Sequence, residues 1–270
     1  MTRRKCLVLG AGGLVGQRLQ QRLVNHPMFE IVAVAGSPSS ADKQLSSIPW
    51  RLDEIRPDLP ELLVIDANDP NLTQHCQSLG VEVAFSGLPS SIALSVEQVL
   101  VDGGITVYSN SSAYRRKPNI PMIIPEINPH HNYSSKHYCA TNCTLIPLAL
   151  PVAAIAKLST VISVKMRSEQ ALSGAGWQLL FDQQALSGNV NPNIDGEADK
   201  TSAELLHVLG SMENQLVTPA KLSLDIKCER IARRDGHQVF VTLKTQKPLE
   251  LTEIIDQLQD LDIGYELPSK

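Results

Sequence analysis

The chain has 270 residues, 43% apolar and 19% charged, a balance that excludes a largely disordered protein and a length that allows two modest cores. A formal net charge of −4 gives no general electrostatic reason to bind nucleic acid or an anionic membrane, so a small molecule is the expected partner. No apolar run approaches a bilayer span, and Met1-Thr2-Arg3-Arg4-Lys5 leads straight into a strand-like segment without room for a signal peptide, so the cytoplasm is the expected compartment.

Lys5 to Leu9 reads as a short buried strand that meets Gly10-Ala11-Gly12-Gly13-Leu14-Val15-Gly16. Beyond it Leu19, Leu23 and Val24 recur at helical spacing until Asn25-His26-Pro27 stops the pattern. A second β-branched run, Ile31 to Val34, closes at Gly36-Ser37-Pro38. Strand, glycine turn, helix and strand together have the length and punctuation of a βαβ unit with parallel strands and a right-handed crossover. Leu62 to Ile65, Val81 to Phe85 and Ile105 to Tyr108 read as further buried strands, with a helix from about Ser91 to Val101.

After Pro125 the texture changes. Longer β-type runs at Val161 to Met166, Leu222 to Ile226 and Val239 to Leu243 are separated by one helix near Ala198 to Leu209 and a glycine-rich loop. The expected fold is α/β: an N-terminal Rossmann-type parallel sheet in residues 1–138, then a second, α+β catalytic and dimerisation domain in residues 139–270 with a more antiparallel sheet. With no linker-like segment between them, an extensive shared interface and a catalytic cleft are expected.

Gly10, Gly13 and Gly16, with Gly12 as an extra, stand where a chain leaving a strand must turn sharply and let a pyrophosphate approach its backbone. The helix beginning near Leu14 and Val15 would offer free N–H groups and a favourable dipole to the phosphates. Glycine turns also serve packing alone, so the βαβ context is what points to a dinucleotide. At the end of the second strand, where NAD enzymes usually carry a carboxylate for the ribose, stand Ser37, Ser39 and Ser40, with Lys43 nearby. Small hydroxyls tolerate a 2′-phosphate, which favours NADP over NAD; the competing account is a plain turn.

Five cysteines, Cys6, Cys76, Cys139, Cys143 and Cys228, are an odd and scattered set that suits reduced thiols, and they complete no tetrahedral zinc set, so no metal is expected. Ser109-Asn110-Ser111-Ser112-Ala113-Tyr114-Arg115, Pro125-Glu126-Ile127-Asn128-Pro129, Asn142-Cys143-Thr144, and Glu169-Gln170-Ala171-Leu172-Ser173-Gly174-Ala175-Gly176 follow the glycine turn in order. Glu197-Ala198-Asp199-Lys200 and the run from Cys228 through Arg230 to Gly236-His237 follow later. In order and spacing this series resembles the aspartate-semialdehyde dehydrogenase family over nearly the whole chain, leaning towards its archaeal and fungal branch.

The resemblance implies NADPH-dependent reductive dephosphorylation of L-aspartyl 4-phosphate to L-aspartate 4-semialdehyde. Cys143 would be the nucleophile, forming a thioester that can be reduced beside a nicotinamide. A helix N-terminus and an adjacent imidazole both favour a thiolate, against the alternative of a buried hydrophobic thiol. His237 would be the acid/base group that handles the thiol proton, with a solvated turn histidine as the alternative. Arg230 would clamp the substrate α-carboxylate, Gln170 would orient the substrate, and Asn142 would orient the acyl oxygen. Glu197 would receive the substrate ammonium, Lys200 and Arg115 would hold phosphate, and Asn110 belongs to the same substrate-binding set. A helical ion pair of Glu197 with Lys200 is the competing account of that pair. Ser173 and Gly174 would lie in the loop beside the nicotinamide. The implied partners are a small acidic acyl substrate, phosphate and a second copy in a homodimer.

Three features depart from the family. Thr141 replaces a proline before Asn-Cys; Pro147 and Pro151 interrupt the run after Cys143, the second expected to kink a helix. The family also carries a further segment with Arg-x-Pro-Gln-Pro-Arg-like and Asn-Thr-x-Arg-Gly-Ala-Ala-Gly-like motifs, whereas this sequence ends at Tyr265-Glu266-Leu267-Pro268-Ser269-Lys270. The alternatives are a reductase of another activated acid, such as an acyl-CoA or carrier-bound acyl thioester, and a non-catalytic homologue that binds a nucleotide or a partner.

Overall fold

The computed structural model describes residues 2–259, so the C-terminal run from Tyr265 to Lys270 lies outside the described residues. The chain divides into two compact units, residues 2–121 with Ser134–Ala140, and Met122–Tyr133 with residues 141–259.

In chain order the first unit comprises β1 (Arg4–Leu9), α1 (Leu14–Leu23), β2 (Phe29–Gly36), β3 (Val64–Asp66), α2 (Leu72–Ser78), β4 (Val83–Ser86), α3 (Ser90–Asp102), β5 (Thr106–Ser109) and β6 (His137–Cys139). The sheet order is β3-β2-β1-β4-β5-β6, with every pairing parallel. Cys6, Leu7, Val8 and Leu9 are fully buried, as expected of a central parallel strand covered on both faces. Strand order reverses between β1 and β4, and the glycine turn leaves β1 at that switch point, at the carboxyl end of the sheet where α/β folds bind ligands.

The second unit comprises α4 (Leu145–Leu158), β7 (Val161–Gln170), the short helices α5 (Trp177–Leu180) and α6 (Gln183–Leu186), α7 (Glu197–Val208), the hairpin β8 (Ser211–Glu213) and β9 (Leu216–Thr218), β10 (Ser223–Arg230), β11 (Gln238–Thr245) and α8 (Leu251–Gln259). Its main sheet runs β10-β7-β11 and is mixed: β7 pairs parallel with β10 and antiparallel with β11. The alternating apolar residues Leu224, Ile226, Val239, Val241 and Leu243 join Val164 and Met166 in a core with Leu145, Leu148, Val152 and Leu205 of the helices. α4 runs from Leu145 to Leu158 with Pro151 inside it, so the prolines do not end the helix. The N–H that Pro151 lacks would have been directed at the Pro147 carbonyl, so one intrahelical bond is lost there, whereas the N–H missing at Pro147 lies in the opening turn, where it has no intrahelical partner to lose. Among the described residues no helix is long and apolar enough to cross a membrane.

Candidate active site

Strand direction brings the second unit's polar residues together. Because β7 and β10 are parallel and in register, their last residues Gln170 and Arg230 stand opposite each other. Because β11 is antiparallel to β7, its first residue Gln238 is paired with Glu169, and His237 precedes it at the same edge. Cys143 comes to this edge from the turn that opens α4, and its Sγ lies 3.0 Å from Nε2 of His237.

Cys143 is exposed, Cys6, Cys76 and Cys139 are buried, and Cys228 is half-buried. Burial pushes Cys6 up to about 12 and Cys76 up to about 11, and it also raises Cys228, so these thiols are held protonated near neutrality.

Asn142 explains why Cys143 faces outward. The Asn142 Oδ1 accepts from the N–H groups of Thr144 at 3.0 Å and Leu145 at 2.8 Å, satisfying donors that the opening of α4 leaves free. Its Nδ2 donates to Thr201 Oγ1 at 3.0 Å, and its own backbone N–H donates to the buried Glu204 carboxylate at 2.8 Å. The side-chain amide thereby links the opening of α4 to Thr201 of α7, directly before the exposed Cys143.

Arg230 is buried to 9% exposure, and its Nη1 donates to the Ala171 carbonyl at 2.6 Å. Burial lowers its pKa from a very high value, while Cys143 and Glu197 act in the opposite sense; it remains a guanidinium. His237 Nδ1 accepts from the Ala171 N–H at 3.1 Å. Burial first, then the Arg230 charge, hold the imidazole below its ordinary value, against the pull of Asp235 and Glu197. Asp235 is held low by hydrogen bonds from the Ser173 hydroxyl and the Gly236 N–H.

The stretch from Leu172 to Ala175 is a 3-10 turn tied to the segment before His237 by Leu172 N–H to Arg233 O at 2.8 Å and Ser173 N–H to Arg234 O at 3.1 Å. Gln170 is buried with Nε2 3.4 Å from Ser168 Oγ, and Glu197 opens α7 close enough to act on Arg230, His237 and Cys228. Lys200 lies one turn further along α7. A cavity of about 300 Å3 against Arg230 is lined by the polar side chains of Asp182, Gln184, Asn189, Asn191 and Asn193.

Gly10, Gly12, Gly13, Leu14, Val15, Gly16, Ser37 and Ser39 belong to the first unit, as do Asn110 and Arg115. Gly10 has φ +80, and a Cβ on Gly16 would stand 2.0 Å from the Gly10 carbonyl oxygen, so the turn is closed as tightly as a glycine pair allows. Gly13 leads into α1 with extended backbone and no side-chain cap, which leaves the N–H groups of Leu14 and Val15 directed out of the helix end. Ser37 and Ser39 hydroxyls lie 2.9 Å apart at the end of β2 with no carboxylate among them. Cradle and hydroxyls fit a dinucleotide with a 2′-phosphate. Arg115 is buried, with Nη2 donating to the Asn110 carbonyl at 2.5 Å. Sequence reading missed Arg51, whose Nη1 donates to the Gly12 carbonyl at 2.6 Å, because its loop shows no periodic pattern.

Residues 5–135 match the family described as semialdehyde dehydrogenase, NAD binding domain. The aspartate-semialdehyde dehydrogenase of Archaeoglobus fulgidus is 32% identical over 95% of this chain and 77% of its own. That of Methanothermobacter thermautotrophicus is 33% identical over 94% and 76%. The crystal structure of Candida albicans aspartate semialdehyde dehydrogenase with NADP superposes with a TM-score of 0.80 at 26% identity, covering 96% of this chain and 76% of that one.

Proposed function

The chain belongs to the aspartate-semialdehyde dehydrogenase family, and from that premise we propose that it reduces L-aspartyl 4-phosphate to L-aspartate 4-semialdehyde with NADPH through a thioester on Cys143. The observation that carries the mechanism is an exposed thiol 3.0 Å from an imidazole, at the sheet edge where Arg230 is buried.

The Cys143 thiolate attacks the acyl carbon; the S–C bond forms, the C–O bond to phosphate breaks, and phosphate leaves with the electron pair. The glycine turn from Gly10 to Gly16, with Ser37 and Ser39, would hold NADPH, which would supply the hydride for reduction of the thioester. Loss of the C–S bond releases the aldehyde and returns the thiolate. Arg230 binds the substrate α-carboxylate, Glu197 the ammonium group, and Gln170 orients the chain between them. Lys200 takes the phosphate, and Ser173 and Gly174 belong to the nicotinamide loop. Asn142 fixes where the sulfur stands, and His237 is the polar group that meets it.

On this reading the first unit is the dinucleotide-binding domain and the second carries catalysis and pairing. The outward face of β10-β7-β11, where exposed Ile162 and Phe240 stand among Lys165, Asp225, Arg167 and Glu229, is the face we assign to a homodimer contact. Catalysis by a thiolate, with the described cysteines held in no disulfide, suits the reducing cytoplasm. Cys143→Ser should lower NADPH oxidation with aspartyl phosphate by roughly 1000-fold or more; near-normal turnover would remove the mechanism.

A further inference from the structure

Ala171 is completely buried and contributes no functional side chain, yet its two backbone groups hold the two polar groups of the site. Its N–H points at His237 Nδ1 at 3.1 Å, and its carbonyl accepts from Arg230 Nη1 at 2.6 Å. The same peptide that carries the Ala171 N–H offers the Gln170 carbonyl to the Ile231 N–H at 3.0 Å, so donor and acceptor ends of one rigid amide are both engaged.

A backbone N–H can only donate. The Nδ1 it reaches must therefore present a lone pair, and a neutral imidazole with a bare Nδ1 carries its single proton on Nε2. That nitrogen is the one 3.0 Å from Cys143 Sγ. We propose that the Ala171 amide is a positioning group for the reaction: it locks His237 as the Nε2–H tautomer, so that the imidazole meets the sulfur as a hydrogen-bond donor to a thiolate and does not take the thiol proton.

The alternatives each break a contact. Protonation at Nδ1 would set two N–H groups facing each other across 3.1 Å. An imidazolium would also stand beside the Arg230 charge, which already disfavours it, and the opposing carboxylates of Asp235 and Glu197 are outweighed by burial together with Arg230. Because Cys143 is exposed, its proton can pass to water while the electron pair stays on sulfur. Once sulfur is acylated it is a poor acceptor, and the Nε2–H is left available for an oxygen of the reacting group.

This inference rests on the thioester reading but is tested without turnover. In the free full-length protein labelled with 15N-histidine, with His237→Asn used to assign the signals, long-range proton–nitrogen correlation should show His237 with a bare Nδ1 and a protonated Nε2 from about pH 6 to 9. Replacing Ala171 by its α-hydroxy analogue, which exchanges the N–H for an ester oxygen, should release the lock and let the Nδ1–H form appear. The same replacement should alter the pH profile of Cys143 alkylation by iodoacetamide. An Nδ1–H tautomer in the unmodified protein, or an imidazolium persisting across that range, would overturn the proposal. Loss of the thioester mechanism would show separately, as turnover surviving in Cys143→Ser.

Discussion

A Cβ added at Gly174 would stand 3.2 Å from Nε2 of His237, the nitrogen that faces the sulfur, and 3.1 Å from Nη1 of Arg230. The turn therefore passes over the imidazole with only a hydrogen atom to spare. Gly174→Ala should lower kcat/KM for the acyl phosphate by roughly tenfold, chiefly through KM, because the two polar tips must retreat from the substrate. Steady-state kinetics with a thermal melt as control checks this; unchanged KM would mean that the acyl group does not pass beneath the turn.

Asn142 couples helix initiation to the reactive sulfur. Asn142→Ala removes the acceptor for two backbone N–H groups and should cost about 1–2 kcal/mol in a urea titration. Iodoacetamide labelling of Cys143 should slow at the same time. Asn142→Asp retains the acceptor but places a second carboxylate near buried Glu204, and should be the less stable of the two at neutral pH.

The cofactor turn leaves no room for a methyl group at Gly16, since the atom in the way is backbone of Gly10 and not a movable side chain. Gly16→Ala should destabilise the protein by about 1–3 kcal/mol and weaken NADPH binding by tenfold or more, read by quenching of NADPH fluorescence. Gly104→Ala is a comparison outside the turn: nothing crowds its Cβ, and its φ of +86 should cost stability without selectively weakening NADPH binding.

Acid stability should report His207. Burial, then the charge of nearby His131, lower its pKa from 6.5 to about 4. The folded state thus disfavours the proton, so the contribution is complete above about pH 6.5 and is lost as pH falls to about 4. In that window urea-measured stability should fall with a slope of up to about 1.4 kcal/mol per pH unit from this residue. His131 and His237, also lowered, add in the same sense. His207→Phe should flatten the curve by close to one proton, and an unchanged slope would place the titration elsewhere.

The parallel sheet was legible because its strands are nearly all apolar and its glycine turn is punctuated: Lys5 to Leu9 and Ile31 to Val34 lie within β1 and β2. The second unit's strands were found but cut short. β7 runs on through Arg167, Ser168, Glu169 and Gln170, whose polarity hid the end of the strand that carries the site. β6 and the β8–β9 hairpin are three residues per strand and too short for a periodic signal. Family resemblance named Cys143, Arg230 and His237 before their geometry was known. It could not reveal that Asn142 spends its amide on α4, and no side-chain pattern can advertise a contribution made by the backbone of Ala171.

In the main sheet of the second unit one strand, β11, runs against its neighbour β7, and much depends on that reversal. β11 is eight residues long, so at about 3.3 Å per residue its first and last residues are roughly 23 Å apart. Had it entered the sheet in the other sense, the imidazole would have been delivered to the far rim, beyond reach of any sulfur chemistry. The reactive pair is thus an outcome of topology, and grafting those side chains onto a uniformly parallel sheet would leave them strangers.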